Sequence, residues 1–184
     1  MRDLSLHILD LAQNSVRAEA KAVGLSVLLD GEGVLSIIIE DDGKGMSAEL
    51  LARVQSPFAT TRTTRKVGLG IPMMAENCRM AGGGLFIEST PEKGTRLTAT
   101  LNTASIDCLP LGDLAGTVTA LVTANPETPE FTLYCRSPKG EMQFDTREIK
   151  AALQGVSLSE PEIAAWMQQS LREEIQPIFG GVIL

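Results

Sequence analysis

Residues 34–46 read VLSIIIEDDGKGM. Five of the first seven are aliphatic, four of them β-branched, over the length of one strand, and the run passes without a break into Asp41-Asp42-Gly43-Lys44-Gly45-Met46. A carboxylate at the end of a buried strand is held in a pocket, where it accepts a hydrogen bond from an exocyclic amine such as that of adenine. Glycines at 43 and 45 let the backbone turn sharply and approach a flat ring. Asp-Gly is also a common turn dipeptide, so this stretch alone fits a plain turn as well as a binding loop. What flanks it decides between them.

Upstream, residues 24–30 (GLSVLLD) form a second strand, joined to the first through the turn signal Asp30-Gly31-Glu32-Gly33. Before it, residues 3–20 have a helical period, with Leu4, Ile8, Leu11 and Ser15 on one face. Asp10 and Asn14 are four apart and so share a helix face, with Arg17 close by. An amide oxygen such as that of Asn14 suits Mg²⁺, which favours oxygen ligands. A carboxylate one turn earlier is a candidate general base, and Arg17 is a candidate phosphate contact. Polar residues at this spacing also occur on any solvated helix.

Downstream, Ser47 caps a short helix to Val54. Residues 55–67 (QSPFATTRTTRKV) have no period and read as a Thr-rich, basic loop. Gly68-Leu69-Gly70 then opens a helix over 71–81 that Gly82-Gly83-Gly84 ends. Free N–H groups at such a helix start attract phosphate. A second hairpin, 85–90 with 95–101, turns at Pro91-Glu92-Lys93-Gly94. Helices mixed with hairpin-joined strands predict an α+β fold, a two-layer α/β sandwich.

The order of these motifs resembles the histidine kinase-like ATPase superfamily, the GHKL or Bergerat fold. Asn14 matches the Mg-binding Asn of the N box. Asp41, Gly43 and Gly45, followed by Met46, match the G1 box, whose Asp binds the adenine amine. Ser56-Pro57-Phe58-Ala59-Thr60-Thr61 resembles the F box and ATP lid, and Gly68, Leu69 and Gly70 match the G2 box. Gly94-Thr95 matches the late Gly-Thr whose threonine sits near the adenine-binding Asp. The resemblance covers residues 1–104 and implies ATP and Mg²⁺ as ligands. Two positions depart from the pattern. Asp10 stands where many ATP-hydrolysing members carry Glu, one methylene longer, which makes it a poor hydrolytic base. Val67 replaces a glycine often found in the G2 box.

Residues 105–184 match no named family and read as a small α+β domain. Residues 102–116 look like a linker, TVTALV (117–122) and FTLYCRS (131–137) like strands, and 141–144 like a third. Asp145-Thr-Arg-Glu148 starts a helix to about Leu153. Another runs from Ser159-Glu-Pro161 to about Gln176, with Ile163, Trp166, Met167 and Leu171 as its apolar stripe.

The net charge of −7 argues against nucleic acid as a partner. The acidity is concentrated at the end: residues 1–104 carry 11 Lys+Arg and 12 Asp+Glu, and residues 105–184 carry 5 and 11. Three scattered cysteines without CxxC spacing, and no apolar run of membrane length, predict a cytoplasmic chain outside the membrane. The opening at the Asn14 helix leaves no room before it for a phosphoacceptor helical hairpin, and His7 on the same rigid helix is poorly placed to accept phosphate. These readings favour a stand-alone kinase of the histidine-kinase or anti-sigma-factor type, acting on a partner protein. A nucleotide-dependent switch or slow ATPase is the alternative. A mechanical ATPase of the MutL or gyrase kind fits less well, because about 80 residues leave little space for a transducer domain. The oligomeric state stays open, a homodimer included.

Overall fold

A computed structural model describes residues 2–55 and 69–180. In chain order the elements are α1 (Leu4–Arg17), β1 (Ala22–Leu29), β2 (Val34–Asp41), α2 (Ala48–Gln55), α3 (Gly70–Met80), β3 (Gly84–Thr90) and β4 (Gly94–Asn102). They are followed by α4 (Leu114–Ala124), β5 (Glu130–Ser137), β6 (Gly140–Asp145), α5 (Thr146–Leu153) and α6 (Pro161–Phe179). The strands form one sheet of order β3-β4-β2-β1-β5-β6. Neighbours are antiparallel except β1 and β5, which run parallel and need the long crossover through α4.

Burial alternates along the strands. Val23, Leu25, Val27 and Leu29 of β1 are buried, as are Leu35, Ile37 and Ile39 of β2 and Leu97, Ala99 and Leu101 of β4. Between them stand half-exposed residues such as Ser26, Ser36 and Thr98. This period of two packs one face against the helices and leaves the other to solvent. The α+β, two-layer architecture expected from the sequence is therefore present, and the two N-terminal hairpins pair as anticipated.

Local signals placed most helix starts. Ser47 Oγ accepts from Leu50 N at 3.2 Å, and Asp145 Oδ1 accepts from Arg147 N at 2.9 Å at the head of α5. Gly82, at φ +72°, closes α3.

Three expectations in the C-terminal part need correcting. Residues 117–122 are not a strand but the middle of α4. Asp113 caps that helix by accepting from Gly116 N. Seven of its residues, from Leu114 to Val122, are buried. A helix apolar nearly all round shows no clean helical period, and its β-branched residues imitate a strand; packing between α1 and α6 overrides that propensity. Residues 102–116 are not a free linker. Leu4 N and Ser5 N donate to Pro110 O and Leu111 O, and Leu111 is fully buried. Trp166 is 54% exposed and lies off the buried stripe of α6, which runs Met167, Leu171, Ile175, Ile178, Phe179. The C-terminal segment is α+β, and it joins the first part edge to edge through β5 on β1.

Candidate functional site

The inward-facing set of β2 is Leu35, Ile37, Ile39 and, two residues on, Asp41. The strand period thus aims Asp41 at the helix layer just where the apolar core gives out. Its carboxylate is held from two sides. Ser15 Oγ on α1 donates to Oδ2 at 2.5 Å, and Gly43 N donates to Oδ1 at 3.0 Å. Asp42 faces elsewhere: its Oδ1 accepts from Lys21 N and Ala22 N. The Ala22 hydrogen bond above all holds its carboxyl below the usual carboxylate range. The neighbouring aspartates therefore divide the work, Asp41 lining a pocket and Asp42 fastening the start of β1.

The pocket has a volume of about 520 Å³, within the range of sites for small ligands. Ile39, Leu50, Val54 and Leu97 are among its apolar walls, and Asn14, Ser15, Asp41 and Thr95 are polar groups on its surface. Arg17, Lys44 and Arg53 line it too. From α1 and its C-cap, Leu11, Asn14, Ser15 and Ala18 are spaced i, i+3, i+4, i+7 on one helix face, with Arg17 beside them.

The glycines around Asp41 are forced. Gly45 has φ +63°, and a Cβ there would fall 2.0 Å from Thr90 O; Gly94 has φ +101°, and its Cβ would fall 1.8 Å from Asp41 O. Close backbone approach thus brings the Asp41 loop against the β3–β4 turn and sets Thr95 beside Asp41, its direct cross-strand partner.

Of the residues singled out in the sequence, Asn14, Arg17, Asp41, Gly45, Met46 and Thr95 line this pocket, and Gly43 supplies an N–H to Asp41. Arg17 Nη1 donates to Asn14 Oδ1 at 3.0 Å. Asp10 packs against the start of α3: a Cβ on Gly70 would fall 1.9 Å from Asp10 Oδ2. Leu69 is exposed. Phe58, Thr60, Thr61, Gly68, Val67 and the rest of the expected lid lie outside the described residues. His7 is fully buried. Its Nε2 lies 2.8 Å from Asn77 Nδ2, tying α1 to α3, and burial pushes its imidazole below the ordinary histidine value.

Sequence reasoning missed four pocket-side residues. Ser15 lies on the apolar face of α1, as its spacing predicts, but its hydroxyl meets Asp41. Lys44 and Arg53 line the pocket and make no ion pair among the described residues. Ser89 of β3 bonds both Met46 N, at 2.9 Å, and Thr95 Oγ1, at 2.9 Å. The hairpin register about residues 91–94 was the one signal that pointed to Ser89.

The donor set bears on a metal. Among the described residues no group of three or more His, Cys, Asp or Glu side chains gathers to hold an ion. Asn14 nevertheless offers an amide oxygen at the pocket wall, one that Arg17 Nη1 occupies here and would yield to an ion. One protein oxygen fits a magnesium ion that takes its remaining ligands from phosphates and water.

Comparison with known proteins agrees with this geometry. The family of histidine kinase-, DNA gyrase B-, and HSP90-like ATPases matches residues 2–105, more than half of the chain, and the protein belongs to it. Sporulation kinase D of Bacillus subtilis (strain 168) is 31% identical over 97 residues, 51% of this chain and 19% of that protein. Sensor histidine kinase ZraS of Klebsiella oxytoca is 31% identical over 93 residues, 50% of this chain and 20% of that protein. The chain thus spans about a fifth of the length of these relatives. The N-terminal domain of a DNA repair protein superposes with a TM-score of 0.50 at 15% identity, covering 98% of this chain and 58% of that one. That likeness concerns the fold alone, and it extends through the C-terminal segment. Among the described residues no helix is long and apolar enough to cross a membrane.

Proposed function

We propose that this chain binds Mg-ATP and uses it in signalling, as a protein kinase that passes phosphate to a partner protein. The observation that carries the nucleotide reading is Asp41, fixed by donors on both oxygens at the end of an apolar slot. A carboxylate so held accepts a hydrogen bond from the adenine amine, while Ile39, Leu97 and Val54 pack on the ring. Arg17, Lys44 and Arg53 supply positive charge for the phosphates within a chain of net charge −7. The N-terminus of α3, where the N-cap Leu69 makes no side-chain cap, offers further N–H groups to an anion. Asn14 would hold the magnesium, which supplies charge neutralisation on the phosphates when bound.

Phosphoryl transfer rests on positioning and electrostatic stabilisation, and the residues above do both. The likeness to a sporulation kinase and a sensor histidine kinase supports transfer to a protein. The phosphoacceptor is then a side chain on that partner, since His7 is buried and already engaged with Asn77. The acidic C-terminal segment offers a face for a partner of positive charge. One observation favours a second reading, a nucleotide-dependent switch with slow turnover: the Asp10 carboxylate packs on Gly70 at the start of α3.

Incubation with γ-labelled ATP, alone and with extract of the source cells, separates the two. Label on a second protein supports the kinase, and binding without transfer or phosphate release supports the switch. Absence of any nucleotide binding defeats both.

A further inference from the structure

Asp41, Thr95 and Ser89 form one row across three strands, Asp41 opposite Thr95 on β2–β4 and Ser89 opposite Thr95 on β3–β4. Asp41 and Thr95 line the pocket, and Ser89 stands one strand further out. The hydrogens in this row can be assigned by counting. Ser89 Oγ accepts from Met46 N at 2.9 Å. It also lies 3.0 Å from Gly94 O, a carbonyl that only accepts, so the single Ser89 hydrogen goes there. The remaining contact, Ser89 Oγ to Thr95 Oγ1 at 2.9 Å, must then use the Thr95 hydrogen. Thr95 therefore donates away from the pocket and turns only lone pairs toward it. Asp41, taking hydrogens from Ser15 and Gly43, is an acceptor too.

We infer that Ser89 is a specificity-determining residue: by capturing the Thr95 hydrogen it makes Thr95 and Asp41 a pair of adjacent acceptors. Such a pair takes both hydrogens of a primary amine on a purine and repels a carbonyl at the same place. This deepens the adenine-nucleotide reading and rests on it. Ser89 acts through Thr95 and Met46 and is a positioning residue with no contact to the base. Its removal frees the Thr95 hydroxyl to rotate and donate into the pocket, which favours a carbonyl-bearing base.

The test is calorimetric titration of the full chain with ATP and with inosine triphosphate, each with magnesium. The wild type is expected to prefer ATP by tenfold or more. Ser89→Ala and Ser89→Cys, the latter keeping side-chain volume but with a weakly accepting thiol, should each narrow that ratio about fivefold. Ser89→Thr keeps the hydroxyl and should restore it. In a Thr95→Val background, Ser89→Ala should leave the ratio unchanged, since no hydroxyl remains to rotate. A merely structural Ser89 would instead weaken both nucleotides in parallel and hold the ratio. Wild-type protein that binds ATP, with a ratio unmoved by Ala or Cys at 89, overturns this inference alone. Wild-type protein that binds neither nucleotide overturns the adenine reading along with it.

Discussion

Replacing Asp41 with Asn keeps the shape of the side chain and inverts half of its hydrogen bonding. In the wild type, Oδ1 accepts from Gly43 N at 3.0 Å and Oδ2 from Ser15 Oγ at 2.5 Å. The Asn amide nitrogen cannot face Gly43 N–H, because two donors would meet. The carbamoyl oxygen must take that side, so the NH₂ group faces Ser15 and the pocket. Ser15 adapts by rotating its hydroxyl to accept. A bound base amine cannot adapt and meets a donor. The loss combines a hydrogen bond to a charged acceptor, about 1.5–3 kcal/mol, with an unsatisfied amine in an apolar slot, about 1 kcal/mol or more. Roughly 3 kcal/mol is expected, or about a 100-fold weaker Kd for ATP. Isothermal titration with Mg-ATP measures it, and a urea melt of the same variant confirms that the fold persists. An Asp41→Asn protein that is fully folded and binds ATP within about threefold of wild type would refute the claim that this carboxylate reads the base.

Other outcomes follow from the same geometry. Lys44→Ala should weaken ATP several-fold and leave adenosine unaffected, because Lys44 adds charge at the pocket and makes no ion pair among the described residues; equal losses for both ligands in competition titrations would contradict a phosphate role. Gly94→Ala should cost more than about 2 kcal/mol in urea unfolding, since an L residue is strained at φ +101° and its Cβ would fall 1.8 Å from Asp41 O; a stability equal to wild type would show that the turn is not constrained. His7, the one histidine of the chain, has its pKa lowered by burial, with Asp10 and Asp3 offsetting part of the shift. The unfolded chain therefore binds a proton before the folded one does. Stability is complete above the ordinary histidine value of about 6.5 and declines as pH falls below it. Urea midpoints between pH 7.5 and 5.5 should show this fall in the wild type and a flatter profile in His7→Leu; identical slopes would remove His7 as the cause.

The sequence by itself determined the half of the molecule where local pattern and function coincide. The aliphatic run of 34–39 and the period of two in 95–101 are written residue by residue, and so are the period of α1 and the cap residues Ser47 and Asp145. Asp41 was legible because it follows a strand and precedes two glycines in four residues. Tertiary structure alone decided α4, since Val and Thr in 117–122 carry a strand preference that only burial against α1 and α6 reverses. It also decided that Trp166 faces outward while Met167 faces in, a difference of one position on a helix whose packing surface the sequence does not name. The parallel pairing of β1 with β5 brings residues over a hundred positions apart into register, and no local pattern encodes such a partner. Ser15 and Ser89 remained hidden for a related reason. A hydroxyl is chemically indifferent until the fold presents it with a partner, and theirs, Asp41 and Thr95, arrive from strands β2 and β4 only once the sheet has closed.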